Sequence, residues 1–440
     1  MKTQRTAEAG MLDESFADKG IAWIGFGQYA MARIESIKSV GEGTEGKIYF
    51  AGWYHDNNMA TSLYLLGRLN ADGSVDKTFG EESDDGVVVG RFKGLSSTVK
   101  SLAIQPDGKI LLFGSATGSE FLQAPAFARY SADGKLDRSF GENGDVVHNI
   151  IVHPPARTAR QNELQSATDS SSNPFGVEIL PDGKILAFKH HAFDDWNTAV
   201  GLIIRLDDRG SLDLDFNQIG HIVVSHPDYL FNHTQLMSIM VQADGKYLGC
   251  GAVWDEREPH AAMFARYHPQ GTLDDSFADC GFAIIKGPAD MGGLRLEAMA
   301  QQPNQRILGI GATITPSNDR GLLLSIEPDG SPNIQFNRGL PLFTELEPDA
   351  LTAWTAGAIQ EDGRIVVVGG VGTANGEVDI VVARFIDEQF DPEFNGTGYV
   401  RTEVEPGTEV ATGMALQSDG KIVVAAYTGS KKLIILRYLS

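Results

Sequence analysis

The stretch SLAIQPDGKILLFGSA, Ser101 to Ala116, followed by FARYSADG from Phe127 and LDRSFGENG from Leu136, decides how the rest of the chain is read. Two apolar runs are joined by Pro-Asp-Gly, a third ends at Arg129, and a turn-rich segment opens at Asp137. Asp-Gly suits the positive-φ positions of a tight hairpin turn. The same hairpin signal recurs outward as EGKI (Gly46), PDGKI (Gly183), ADGKY (Gly245), PNQRI (Gln305), EDGRI (Gly363) and SDGKI (Gly420). The motif is thus written seven times, at spacings of 62, 75, 62, 60, 58 and 57 residues. A period of that size marks a stacked or ring-closed repeat architecture.

Each copy supplies four strand-like runs. In the second they are Val99 to Gln105, Lys109 to Ala116, Ala124 to Tyr130 and Asp145 to Ile151. Second runs such as ILLFG (Ile110), IVVVGG (Ile365) and IVVAAY (Ile422) are continuously apolar and β-branched, as in strands buried on both faces. A sandwich would alternate. Four-stranded sheets covered on both sides by neighbouring sheets are the blades of a propeller. The chain opens on LDESFADKG (Leu12) and an apolar run, the end of a copy, and it closes at LIILRYLS (Leu433), a third strand. The expected fold is therefore all-β: a seven-bladed β-propeller of four-stranded antiparallel blades, its ring closed when the N-terminal strand joins the last blade. Residues 1–440 then form one domain, with residues 1–10 as a flexible N-terminus and residues 152–173 as an inserted loop.

Third strands end on Arg68, Arg129, Arg205, Arg266, Arg384 and Arg437, and the following LDxSF turns carry Asp76, Asp137, Asp213, Asp274 and Asp391, with Asp13 serving the last blade. The fifth copy replaces both charges, with Ser325 and Asn333. Losing both together predicts an ion pair within each blade, because either charge left alone and partly buried is costly.

Thirty-six basic against 58 acidic side chains leave a formal charge of -22. An acidic field repels phosphate backbones and anionic lipid surfaces, so neither nucleic acid nor membrane is an expected partner. Cys250 and Cys280 are read onto the second and fourth strands of one blade, about two spacings of 4.8 Å apart, beyond the reach of a disulfide, so free thiols are expected. MKTQRTAEAG shows no apolar signal core, and no run of 18 apolar residues is present. A cytoplasmic monomer is the expectation, with export by a non-classical route left open.

Taken together, QPDGKI, ARY.ADG and LD.SFG..G resemble the delta-60 repeat, a family of bacterial β-propeller repeats, over essentially residues 11–440. The resemblance implies a propeller and no particular activity. Copy five departs most, with PNQRI for PDGKI and PNIQF for LDxSF. The recurring signatures of WD, kelch and sialidase propellers are not present.

In an up-and-down meander, PDG and LDxSF lie at the same end, so that end carries near-identical turns. The other end carries loops that vary between copies, where function tends to sit on a rigid scaffold. Those loops hold WYHDNN, HHAFDDWN, WDEREPH and SNDR. The candidate ligand-binding residues are Trp53, His55, His190, Asp195, Trp196, Trp254 and Arg157. The indoles either stack on a ligand or cap blade cores, and the insertion is either a lid or a disordered loop. His190 and His191 with Asp194 and Asp195 have the chemistry of a transition-metal site but no established spacing, and adjacent side chains on a strand point to opposite faces. No catalytic or metal-ligating residue is assigned, and no cofactor is expected. The expected function is a non-catalytic platform for a protein or carbohydrate ligand. The alternative is a metal-dependent hydrolase or lactonase at the channel mouth, with Glu35, His233 and Asp194 as its candidates.

Overall fold

The computed structural model describes residues 8–25, 31–41, 46–81, 86–119, 123–152, 175–192, 199–227, 233–255, 258–315, 318–372 and 375–440. The fold is all-β and propeller-like, built from antiparallel sheets whose common unit is four strands. Copy two is typical. Ser96–Ile104, Ile110–Thr117, Ala124–Tyr130 and Asp145–Val147 pair in chain order. The fourth strand stops short of the expected Ile151 because the Ile150 N–H turns back onto the His148 carbonyl at 3.1 Å. Copies three and four share one larger sheet through a single parallel bridge, Ala199 to His233. Second strands are buried nearly throughout, as their unbroken apolar sequence requires.

The core lies between successive sheets. Leu248, Phe264 and Phe277 of copy four, for example, pack on Leu294, Leu322 and Leu324 of copy five. At the chain ends, Ile21–Ile24 pairs with the outer edge of Leu433–Tyr438, placing Ile21 opposite Leu436 and Ile24 opposite Leu433. Residues 8–10, inside the segment expected to be flexible, carry bonds of their own: the Gly10 N–H donates to the Leu439 carbonyl at 2.9 Å, and Ala9 accepts from the Asn395 N–H at 2.8 Å. Residues 1–7 and 153–174 lie outside the described residues. Cys250 is buried on its strand, but Cys280 stands exposed in a turn at φ 47°, ahead of Phe282–Ile285 and not on the fourth strand; both thiols are free. Among the described residues no helix is long and apolar enough to cross a membrane.

The predicted ion pairs are present, and each belongs to a larger device. In copy four the Arg266 Nε donates to Asp274 at 2.7 Å, and Lys246, the lysine of the hairpin, reaches the same carboxylate at 3.1 Å. The guanidinium lies over Phe277, the aromatic of the LDxSF turn, at 4.5 Å. Its Nη1 donates to the Pro328 carbonyl of the next copy at 2.5 Å. The pattern recurs at Arg68 to Ala132, Arg129 to Asp208, Arg205 to Pro269 and Arg437 to Ala71. A backbone bond accompanies it, as in Ala278 N–H to the Asp329 carbonyl and Ala17 N–H to the Asp72 carbonyl. The arginine is therefore a staple between copies as well as within one.

Copy five lacks the staple. Asn333 Nδ2 instead donates to Ser325 Oγ at 3.0 Å, and among the described residues no turn-to-turn backbone bond joins copies five and six. That junction is filled by Trp354, fully buried, whose Nε1 donates to Thr344 Oγ1 at 2.9 Å. Gly321 makes the room, since a Cβ there would lie 2.2 Å from the indole nitrogen.

Candidate functional site

The innermost strands share a device that the sequence pattern did not disclose. In six copies their pairing with the second strand shifts by one residue at an equivalent place, leaving Glu35, Lys100, Met237, Glu297, Thr355 and Thr412 as the extra residue of a β-bulge. A bulge re-aims its side chain and bends the strand. The second strand accommodates it with glycine: a Cβ on Gly114 or Gly251 would stand 1.9 Å from the facing carbonyl oxygen. Copy three has Lys189 at this position, and its register runs unbroken from Phe175. Lys189 is buried, donates to the Gln123 carbonyl at 2.6 Å and lies 5.3 Å from the Phe175 ring. Burial pulls its ammonium down to about 8.

Innermost strands from six copies line a cavity of 230 Å³, which includes Glu35, Lys38, Glu178, Met237 and Met414. Glu35 accepts from Trp53 Nε1 at 2.8 Å and from Lys100 Nζ at 2.6 Å, and the ammonium also sits 5.6 Å over the Trp53 ring. Trp53 is thus anchored to a residue of the cavity wall. Glu178 lies on the same wall, where nearby protein partly desolvates its carboxyl and pushes it up although the residue keeps an exposed surface, while Lys38 opposes that rise.

Trp254 is half-buried between two imidazoles: His233 stacks at 4.1 Å and 7°, His260 at 4.3 Å and 30°. Burial first, then neighbouring positive charge, holds His233 and His260 at about 4 and His190 at about 3, so all three rings are neutral at pH 7. The His190 Nδ1 is buried without a hydrogen-bond partner, and His190 is close enough to His233 for their charges to oppose. His55 Nδ1 lies 3.4 Å from Ser62 Oγ. Arg157, Asp194, Asp195 and Trp196 lie outside the described residues. The structure thus gathers His190, His233 and Trp254 at one rim and holds Trp53 with Glu35 at the wall. Among the described residues no group of three His, Cys, Asp or Glu is placed to hold a metal ion.

A second pocket, of 380 Å³, lies at the variable end of copy five, between its own loop and the connections that flank it. Asp290, Asn318, Arg320, Glu345 and Asp349 line it with Thr313 and Thr315. Arg320 meets Glu345 at 3.3 Å, while its Nη1 ends on the Met291 thioether at 2.8 Å, a weak acceptor for a strong donor. Only SNDR signalled this site in the sequence. Asp290, Glu345 and Asp349 come from the connections between copies, which carry no recurring motif.

Residues 46–79, 105–140, 242–277 and 360–385 match the family described as "Domain of unknown function (DUF5122) beta-propeller". The resemblance read from the repeats is supported at the level of a β-propeller family. No curated protein matches the chain. Among solved structures, the chain is similar to polysaccharide lyase Uly1 at 12% identity and TM-score 0.47, over 99% of this chain and 98% of that one. The β-propeller domain of the Trilobed protease from Pyrococcus furiosus aligns at 9% identity and TM-score 0.44, over 94% of each chain. The alpha-L-arabinanase of Penicillium chrysogenum aligns at 12% identity and TM-score 0.43, over 77% of this chain and 92% of that one.

Proposed function

We propose that the chain is a single, monomeric seven-bladed propeller, closed by its N-terminal strand, and that it is a non-catalytic platform whose variable end binds a saccharide or protein ligand. Closure is supported by contacts between the last copy and the first. Gln417 Nε2 donates to Ser39 Oγ at 3.3 Å, Arg437 Nη1 to the Ala71 carbonyl at 2.6 Å, and Ile435 and Val423 share a core cluster with Ile34 and Phe50.

The platform reading is carried by the contrast between the two ends of the molecule. At the PDG end the recurring Arg, Asp and Lys side chains pair with one another in staples, as Arg129, Asp137 and Lys109 do. At the variable end, Arg320 ends partly on sulfur beside Asp290, Glu345 and Asp349, in a pocket of a size that holds small ligands. Planar guanidinium and carboxylate groups on irregular loops suit hydroxyl-rich or polar partners.

The test is a glycan array followed by calorimetry. Arg320→Ala and Asp349→Ala are expected to lower binding about tenfold or more with native circular dichroism, while Asp107→Ala, at the PDG end, leaves binding unchanged. Trp254→Ala and Trp196→Ala test whether the aromatic rim contributes. A saccharide or protein ligand that maps to the PDG end, or turnover lost with a channel carboxylate, overturns the reading.

A further inference from the structure

Copy five departs from the repeat at four positions that meet in space. Ser325 replaces the stapling arginine, Pro332 the apolar residue before the turn aspartate, Leu340 a left-handed glycine, and Pro341 the first residue of the fourth strand. All four line one groove of 450 Å³ between Phe282–Ile285 of copy four and Gly321–Ile326 of copy five.

The glycine explains how the groove forms. In five copies the N–H at the stapling position donates to the carbonyl of that glycine, as Arg129 does to Gly144 and Arg266 to Gly281. Those glycines have φ between 79° and 114°, which leucine adopts only under strain. Leu340 sits instead at φ −103°, after the short 3₁₀ turn Asn337–Gly339. The fourth strand, Leu342–Thr344, then pairs with copy five only at Gly321 to Leu323. Among the described residues the Ser325 N–H makes no bond to the Leu340 carbonyl, and Ser325 lines the groove.

The walls are apolar, with Leu324, Ile326, Leu340 and Pro341, and Leu340 is 63% exposed. The ionisable side chains that line the groove are Asp279 and Asp329, both carboxylates on exposed residues. Hydrogen bonds from the Ser331 hydroxyl and N–H hold Asp329 below the usual carboxylate range.

We propose that this groove is a binding site for a small apolar cation: a hydrocarbon body against Leu324, Ile326 and Leu340, an ammonium end beside Asp279 and Asp329, and a carbonyl oxygen accepting from the Ser325 N–H. The site lies away from the variable loops, so its fate is independent of the platform reading.

The test is calorimetric titration of the full chain with phenylalaninamide, N-acetylphenylalaninamide and N-acetylphenylalanine, which share a ring and a carbonyl but are cationic, neutral and anionic. Affinity is expected to fall in that order. Because the whole protein is acidic and attracts any cation, two variants decide where binding occurs. Leu340→Arg, which fills the groove with a cation, is expected to reduce amine binding about tenfold or more. Asp279→Asn is expected to reduce it about two- to fivefold. Melting temperature verifies that both remain folded. Equal affinity for the three probes, no saturable binding at millimolar concentration, or undiminished binding by folded Leu340→Arg overturns the proposal.

Discussion

Copies four and five are neighbours that solve one packing problem with different chemistry. In copy four, Arg266, Asp274, Lys246 and Phe277 form a buried charged staple that reaches the next copy. In copy five, Ser325 and Asn333 keep only a neutral hydrogen bond, and the junction beyond is held by Trp354. The strands of the two copies still pair in the same order. The sheet frame is therefore set by hairpin turns and apolar burial, and the ionic device is replaceable provided both partners go together. That agrees with the general behaviour of buried ion pairs, in which one orphaned charge costs far more than a missing pair.

The comparison is tested most severely at the chain ends. Copy five dispenses with the staple, but no copy dispenses with a covered third strand. Deleting residues 1–26 removes Asp13, Phe16 and Ile21–Ile24, orphans buried Arg437 and bares the edge of Leu433–Tyr438. The expected loss exceeds about 5 kcal/mol, with aggregation on gel filtration. An unchanged melting temperature and a monomeric profile would show that the edge needs no cover. Deletion of residues 1–7 alone should spare the Ala9 and Gly10 bonds and leave stability near that of the full chain.

Next in size is the aromatic substitute. Trp354→Ala, at the junction without a staple, is expected to cost about 3–5 kcal/mol by chemical denaturation. A loss below about 1 kcal/mol would mean that some other contact holds copies five and six together.

The staple itself comes third. Arg266→Ala leaves buried Asp274 with Lys246 and Ser276 as its partners, and a loss of about 2 kcal/mol is expected. The double variant Arg266→Ala with Asp274→Ala should cost less than the sum by at least about 1 kcal/mol, while Ser325→Ala in copy five costs about 1 kcal/mol or less. Strict additivity in copy four would remove the case for direct pairing.

The smallest effect is in pH dependence. Burial raises the Asp274 carboxyl, but hydrogen bonds from Ser276, Lys246 and Arg266 outweigh it and hold the group below the usual carboxylate range. Asp76 and Asp137 behave alike. A depressed folded-state value means that the unfolded chain takes up protons first. The stabilisation is therefore complete well above the unfolded value of 3.8, and it is lost as pH falls through that value toward the depressed folded-state one. Removing Arg266 and Asp274 together should flatten this acid limb in urea denaturation at about pH 7 and about pH 2.5. An identical slope in both proteins would separate the staple from acid sensitivity.

Much of this was readable in one dimension. Periodicity, Asp-Gly turns and unbroken apolar second strands determined the four-stranded copies, because turn geometry and burial are local demands that recur wherever the motif does. The joint loss of charge at Ser325 and Asn333 exposed the Arg–Asp pairing for the same reason. Only the tertiary structure decided that the arginine also reaches the next copy, that Gly114 and Gly251 face bulges, that Trp254 lies between His233 and His260, and that Ser325, Pro332, Leu340 and Pro341 open one groove. Those contacts join residues from different strands or copies through side-chain packing, which leaves no period in the sequence, whereas the backbone frame repeats and is written seven times.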